Sequence, residues 1–109
     1  MEVRPGVKTK WEWEKALLAR SKTEGMTPTT QHIALVLSTF GDGLGSGIRP
    51  SVKHIVFITG RSRATVHSAL RDLRDRGWIE QLSRGNGISR QASEYRLSIP
   101  PEQVFRSPT

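Results

Sequence analysis

Apolar residues recur at helical spacing in several separate stretches of this sequence. Residues 11–22 contain good helix formers without proline or glycine, which predicts a helix that ends before Gly25. A second helix is predicted to begin at Thr27, because a threonine N-cap followed by Pro28 is typical of a helix start. Its apolar face consists of Ile33, Val36, Leu37 and Phe40. This second helix is expected to belong to the core.

Two further helices are predicted on either side of Gly60. Ser51 is the expected N-cap of the first and Ser62 that of the second, which reaches Arg76 and stops at Gly77. Their apolar positions are Val52, Ile55, Val56 and Ile58, then Val66, Ala69, Leu70 and Leu73. Two short helices joined by a glycine turn have the layout of a helix-turn-helix that reads DNA.

The C-terminal part alternates apolar and polar residues, which is typical of strands. Trp78, Ile79 and Leu82 predict one strand, residues 83–91 a polar loop, and residues 94–99 a returning strand. The expected fold is therefore mainly α with a small β-hairpin, an α+β class. The predicted parts are a flexible basic arm at 1–10, an N-terminal helix at 11–26, one domain at 27–100 and a loose tail at 101–109.

The connection at residues 41–51 alternates glycines with other residues and invites comparison with nucleotide-binding loops. A dinucleotide-binding loop follows a strand and opens a helix, and a P-loop ends in Gly-Lys-Ser/Thr. Here a predicted helix precedes the glycines and Ile48-Arg49-Pro50 follows them. Asp42 alone lacks the carboxylate spacing of a calcium loop. The segment is therefore interpreted as a flexible connection that ends in a short strand at Ile48 and Arg49.

Composition narrows the possible functions. The formal net charge of +7 comes mostly from arginine, which suits a polyanionic partner. Without cysteine the chain forms no disulfide and no thiolate zinc site. No apolar run has the roughly 20 residues of a membrane helix, and the N-terminus lacks a signal-peptide core, so a cytoplasmic protein without a membrane partner is expected. The histidines lack zinc spacing and no Ser/His/Asp grouping appears, so no metal, cofactor or enzymatic activity is expected.

Several short strings in this order resemble the winged helix-turn-helix fold. They are Arg49-Pro50-Ser51, residues 59–66, residues 70–73, Gly77-Trp78-Ile79 and Tyr95-Arg96-Leu97. They are similar to strings of GntR-type regulators and of small helix-turn-helix proteins of phages and plasmids. The resemblance covers residues 27–100 and implies a DNA-binding protein, either a transcription regulator or a replication or origin-binding factor. Because no effector-binding domain follows residue 100, no small-molecule effector is expected.

The helix predicted after Ser62 has a surface suited to a major groove. Its apolar stripe leaves Ala64, Ser68 and Arg71 on the opposite side. Short uncharged side chains allow close approach to base edges, and the helix N-terminus favours a phosphate. Arg71 is expected either to contact a guanine or to pair with Asp75 four residues on. The residues predicted to contact DNA are Lys53, Arg61, Ser62, Arg63, Thr65, His67, Ser68 and Arg71, with Arg84 and Arg90 in the wing loop.

The first predicted helix is apolar on two sides. Trp11 and Leu18 fall on one side, and Trp13 and Leu17 fall on nearly the opposite side. One interpretation is that one face packs on the domain and the other on a second subunit, so these four residues are predicted to support a homodimer. The other is that one tryptophan covers a loop or stays partly exposed. The expected function is sequence-specific binding of double-stranded DNA; the alternative is a winged helix that docks a larger partner protein through this helix.

Overall fold

A computed structural model of the chain describes residues 9–83 and 93–101. Over these residues it contains, in order, α1 (Lys10–Arg20), α2 (Pro28–Ser38), α3 (Val52–Thr59), α4 (Arg63–Arg76), β1 (Ile79–Ser83) and β2 (Glu94–Leu97). This order confirms the predicted α+β class, mainly helical with a small hairpin. The predicted basic arm and C-terminal tail lie outside the described residues, apart from residues 9, 10 and 101, and stay predictions.

Each of these helices begins at a hydroxyl side chain that accepts a hydrogen bond from a backbone amide of the first turn. The N-caps are Thr9, Thr27, Ser51 and Ser62, each with its oxygen 3.1 Å from the amide nitrogen three residues on. Such bonds satisfy amides that have no partner inside the helix. The caps at Thr27, Ser51 and Ser62 confirm the prediction. The unpredicted cap at Thr9 makes α1 begin one residue earlier than expected.

The core lies where α4 packs against α2 and α3, and α1 packs against α2. Its buried apolar residues are Trp13, Leu17, Met26, Ile33, Ala34, Leu37, Ile48, Ile55, Val66, Ala69, Leu70, Leu73, Trp78, Ile79, Tyr95 and Leu97. The predicted stripe of α4 is entirely buried. The predicted stripe of α3 is only partly correct, because Ile58 in its last turn is exposed while Ile55 is buried.

The hairpin pairs β1 and β2 antiparallel, with Ile79 opposite Leu97, and Ile48 extends this sheet as an isolated bridge to Tyr95. The short strand predicted at Ile48 is therefore present as a single bridge. The glycine connection also reaches the sheet, since the Leu97 amide donates to the Gly45 carbonyl at 2.8 Å. Gly45 has φ +80, and a Cβ there would lie 3.1 Å from the Leu97 Cβ. Glycine thus serves close packing at this position.

Trp13 fixes α1 to the base of the hairpin. Its indole Nε1 donates to the carbonyls of Trp78 and Ser98, both at 2.9 Å, and its ring meets the Trp78 ring edge-on at 6.2 Å between centroids. Trp13 and Leu17 are fully buried in the monomer. Including these two in the predicted subunit contact was wrong, because a fully buried side chain offers no surface to a second subunit. The other two residues of the predicted contact, Trp11 and Leu18, lie on the opposite side of α1 and are 66% and 56% exposed.

Candidate nucleic-acid interface

The exposed side of α4 is the centre of the candidate interface. The helix is bounded by its N-cap Ser62 and by Gly77, which has φ 90. Because its buried stripe faces α2 and α3, helical periodicity places Ala64, Ser68 and Arg71 on the opposite side, where all three are exposed. The surface predicted from the sequence is therefore accessible along about two turns of the helix.

The turn between α3 and α4 is held by Thr59 and Gly60. The Thr59 hydroxyl donates to the Ile55 carbonyl at 2.8 Å and accepts from the Arg61 amide at 3.2 Å. Gly60 has φ 72 and an open environment, so the left-handed conformation alone requires glycine there. These contacts fix the direction in which the chain enters α4. The role of Thr59 was not predicted, because a threonine at a helix end has no distinctive sequence signal.

The N-terminal turn of α4 uses Thr65 for its own cap. Ser62 Oγ accepts from the Thr65 amide at 3.1 Å and donates to Thr65 Oγ1 at 2.9 Å. Thr65 is also half-buried, whereas Ser62 and Arg63 are exposed. Arg63 is therefore exposed without taking part in the cap, whereas the hydroxyls of Ser62 and Thr65 are already engaged within the protein.

The chain carries no carboxylate between Asp42 and Asp72. The ionisable side chains in this stretch are all basic, all exposed, and comprise Arg49, Lys53, His54, Arg61, Arg63, His67 and Arg71. Arg49 forms an ion pair with Glu94 at 3.0 Å. Within residues 9–83 and 93–101, Lys53, Arg61 and Arg63 form no ion pair. The stretch that contains α3 and most of α4 therefore presents uncompensated positive charge to solvent.

The arginines near the C-terminal end of α4 are held by the protein. Both carboxylate oxygens of Asp72 accept from Arg76 Nε at 2.9 Å. Arg76 Nη1 also donates to the Glu24 carbonyl at 2.6 Å, which ties α4 to the turn after α1. Arg74 donates to Gln81 Oε1 at 2.9 Å. In the described part of the chain Arg71 and Asp75 form no ion pair, so that alternative for Arg71 is not realised here.

The glycine connection before α3 is organised by Asp42. Its Oδ1 accepts hydrogen bonds from the amides of Leu44 at 2.9 Å and Ser46 at 3.0 Å. These backbone bonds, the one from Ser46 first, lower the pKa of Asp42 below its ordinary value. The Asp42 carboxylate therefore occupies the backbone amides that a bound phosphate would need. This agrees with the interpretation of the segment as a connection and not as a nucleotide-binding loop.

Some predicted sites lie outside the described residues, namely the wing arginines Arg84 and Arg90. Over the residues that are described, no group of three or more His, Asp or Glu side chains could hold a metal ion. No helix in that part is long and apolar enough to cross a membrane.

The sequence did not predict that Phe57 in α3 would be 84% exposed.

Comparisons with known proteins support the fold. No protein-family model and no curated protein matches the sequence. Among solved structures, the chain is similar to the ferric uptake regulator Fur of Helicobacter pylori, with a TM-score of 0.56, 18% identity, and coverage of 94% of this chain and 64% of that one. It is also similar to the adhesin competence repressor AdcR of Streptococcus pyogenes, with a TM-score of 0.50, 17% identity, and coverage of 77% and 55%.

Both structural neighbours have the winged-helix fold, and they confirm that this chain has the predicted winged helix-turn-helix fold. In that fold α3 and α4 form the helix-turn-helix, and β1 and β2 form the base of the wing. The chain spans less than two thirds of the length of either neighbour. The specific similarity to GntR-type and phage proteins stays a prediction.

Proposed function

We propose that this protein binds double-stranded DNA in a sequence-specific manner, with α4 in the major groove. The observation that carries the proposal is the exposed side of α4, where Ala64, Ser68 and Arg71 lie within a stretch free of carboxylates. Short side chains let a helix approach base edges, and the surrounding positive charge attracts the phosphate backbone. The acids Asp72 and Asp75 mark the end of this surface, because they would repel phosphates.

The proposed contacts divide into groove and backbone positions. Residues of α4 and its cap enter or border the groove, and basic residues of α3 and the turn approach the flanking phosphates. The proposed set is Ser62, Thr65, His67, Ser68 and Arg71 in the first group, Lys53 and Arg61 in the second, and Arg63 at the border between the two. Arg84 and Arg90 are proposed to extend the backbone contact through the wing. Lys53, Arg61 and Arg63 are exposed, so their charges are accessible to a phosphate backbone.

We propose a transcription regulator as the role, because both structural neighbours are named as regulators, one of them a repressor. A replication or origin-binding factor would use the same surface, and nothing in the fold favours it. One neighbour is described with functional metal-binding sites. We do not propose metal binding for this chain, because its described residues include no group of three side chains that could hold a metal ion.

A homodimer is proposed through the exposed side of α1. Trp11 and Leu18 lie seven residues apart, which places them on the same side of the helix, and Lys15 Nζ lies 4.4 Å from the centre of the Trp11 ring. Leu18→Glu is expected to shift a dimer toward monomer in sedimentation velocity. The matched control is Leu44→Glu, since Leu44 is 65% exposed but lies in the glycine connection. A shift of equal size in both variants would contradict a contact through α1.

Selection of bound sites from random duplex DNA tests the proposed function. The expected result is enrichment of a defined motif, with two related half-sites if a dimer binds. Measured affinities for that motif and for a scrambled duplex, at two salt concentrations, then separate base recognition from backbone attraction. Binding without enrichment would contradict sequence specificity. No binding to any duplex would overturn the proposal and favour the protein-docking alternative.

A further inference from the structure

We infer that Arg71 selects a guanine in the DNA site, whereas Arg63 contacts a phosphate without reading sequence. This inference rests on the proposed function, since it assigns separate tasks to two arginines of the same surface. The sequence predicted that both residues contact DNA, with a pair between Arg71 and Asp75 as the alternative for Arg71. The contacts within α4 now distinguish them.

Arg71 differs from the two arginines that follow it on α4. Arg74 is bound to Gln81, and Arg76 is bound to Asp72 and to the Glu24 carbonyl. Among the described residues Arg71 has neither an ion pair nor a side-chain hydrogen bond, although Asp75 lies four positions on. Its guanidinium is therefore available without breaking a contact of the folded protein. An arginine that must first leave a partner would lose part of its binding free energy.

The position of Arg71 favours a base over a phosphate. It lies on the side of α4 directly opposite the buried stripe, in line with Ala64 and Ser68. Both of those side chains are short, so the helix axis can come close to the groove floor. Arg71 follows Ala64 by seven residues, about 10 Å along the axis, so its long side chain reaches bases that the first turn does not. A guanidinium in this position matches the two acceptors, N7 and O6, of a guanine.

Arg63 has a different environment. It is the first residue of α4, next to the exposed N-cap Ser62, and it lies toward the flank of the groove-facing side. At a helix N-terminus, free backbone amides and the helix dipole already attract a phosphate. Arg61 carries a second positive charge two residues before it and is also exposed. Arg63 therefore strengthens a backbone contact that is the same for every sequence.

The experiment compares wild-type protein with Arg71→Ala, Arg71→Lys and Arg63→Ala on the selected duplex and on variants changed at one base pair each. Arg74→Ala is the matched control, an exposed arginine of the same helix that is engaged with Gln81. Arg71→Ala is expected to weaken binding of the selected duplex about 5- to 150-fold and to remove the preference at one G·C pair. Arg71→Lys is expected to keep the salt dependence but lose most of that preference, because lysine lacks the planar fork.

Arg63→Ala is expected to weaken binding to all duplexes by the same factor and to reduce the slope of log affinity against log salt by about one. An unchanged base preference in Arg71→Ala would overturn the inference, as would an equal loss on every duplex accompanied by a smaller salt slope. Loss of preference in Arg74→Ala would also overturn it. If wild-type protein binds no duplex, or binds all duplexes equally, the proposed function itself fails. If wild type prefers the selected duplex and Arg71→Ala keeps that preference, only the base-reading role of Arg71 fails. Unchanged circular dichroism of each variant excludes misfolding.

Discussion

Trp13→Phe is expected to destabilise the fold, because it removes one hydrogen-bond donor and creates a small cavity. The indole N–H is shared by two carbonyls, those of Trp78 and Ser98. The Trp78 carbonyl also accepts from the Ser98 amide at 3.0 Å, so it keeps a partner in the variant. No other donor from the described residues reaches the Ser98 carbonyl. The substitution therefore removes one hydrogen bond, and this loss lowers the free energy of unfolding by about 0.5–1.5 kcal/mol.

The smaller ring adds a second loss. Trp13 is fully buried against the edge of the Trp78 ring, and the space left by phenylalanine costs about 1 kcal/mol more. The free energy of unfolding is therefore expected to fall by about 1.5–2.5 kcal/mol in urea denaturation followed by far-ultraviolet circular dichroism. Trp11→Phe is the matched control on the same helix. Because Trp11 is 66% exposed, its variant is expected to stay within about 0.5 kcal/mol of wild type.

Equal stability of wild type and Trp13→Phe would refute this reasoning. So would an equal loss in Trp11→Phe, because it would mean that the exposed side of α1 contributes as much stability as the buried side. A lower denaturant slope in Trp13→Phe would indicate that the variant no longer unfolds in a single step, and its stability would then be compared by hydrogen exchange.

Two further predictions concern the loops that frame the interface. Gly60→Ala is expected to lower the free energy of unfolding by about 1–2 kcal/mol, for the left-handed backbone alone. Gly77→Ala is expected to lower it more, because its added Cβ would also lie 3.1 Å from the Pro100 Cβ. Urea denaturation of both variants measures the two losses, and a larger loss in Gly60→Ala would contradict this reasoning. For Asp42, the folded pKa lies below the ordinary 3.8, so its stabilising effect is present above that pH and is lost as the pH falls through the folded pKa. A carbon NMR titration is expected to place the Asp42 midpoint below 3.8, and a midpoint above that value would show that the amides of Leu44 and Ser46 do not hold the carboxylate.

Local signals in the sequence predicted most of the helices. A hydroxyl residue before an apolar-periodic segment marked the starts at Thr27, Ser51 and Ser62, and the apolar stripe of α4 predicted its buried face. These signals depend only on neighbours within a few positions, so one sequence suffices to read them. The exposed surface of α4 followed directly, since it is the side opposite the stripe.

Features that depend on distant partners were not predictable in the same way. The periodicity of α1 gave two apolar sides but could not say which one is buried, because the bonds of Trp13 join residues 65 and 85 positions apart. For Arg71 the sequence left two alternatives, a guanine contact or a pair with Asp75. An exposed ion pair of this kind is weak, so whether it forms depends on how the whole helix end is arranged. The approach of Gly45 to Leu97 likewise follows from the packing of the connection against the sheet.

Crosslinking from the centre of α4 tests most directly whether this helix reads DNA. The chain has no cysteine, so Ser68→Cys provides a unique attachment point for a photoreactive group on the exposed side of α4. Ala19→Cys is the control, because Ala19 is exposed on α1 and its cysteine carries the same photoreactive group. On the selected duplex, the probe at position 68 is expected to crosslink to bases within the motif at their major-groove edges, and the probe at position 19 is not. Equal crosslinking from both positions, or none from position 68 on a duplex that the protein binds, would contradict the account.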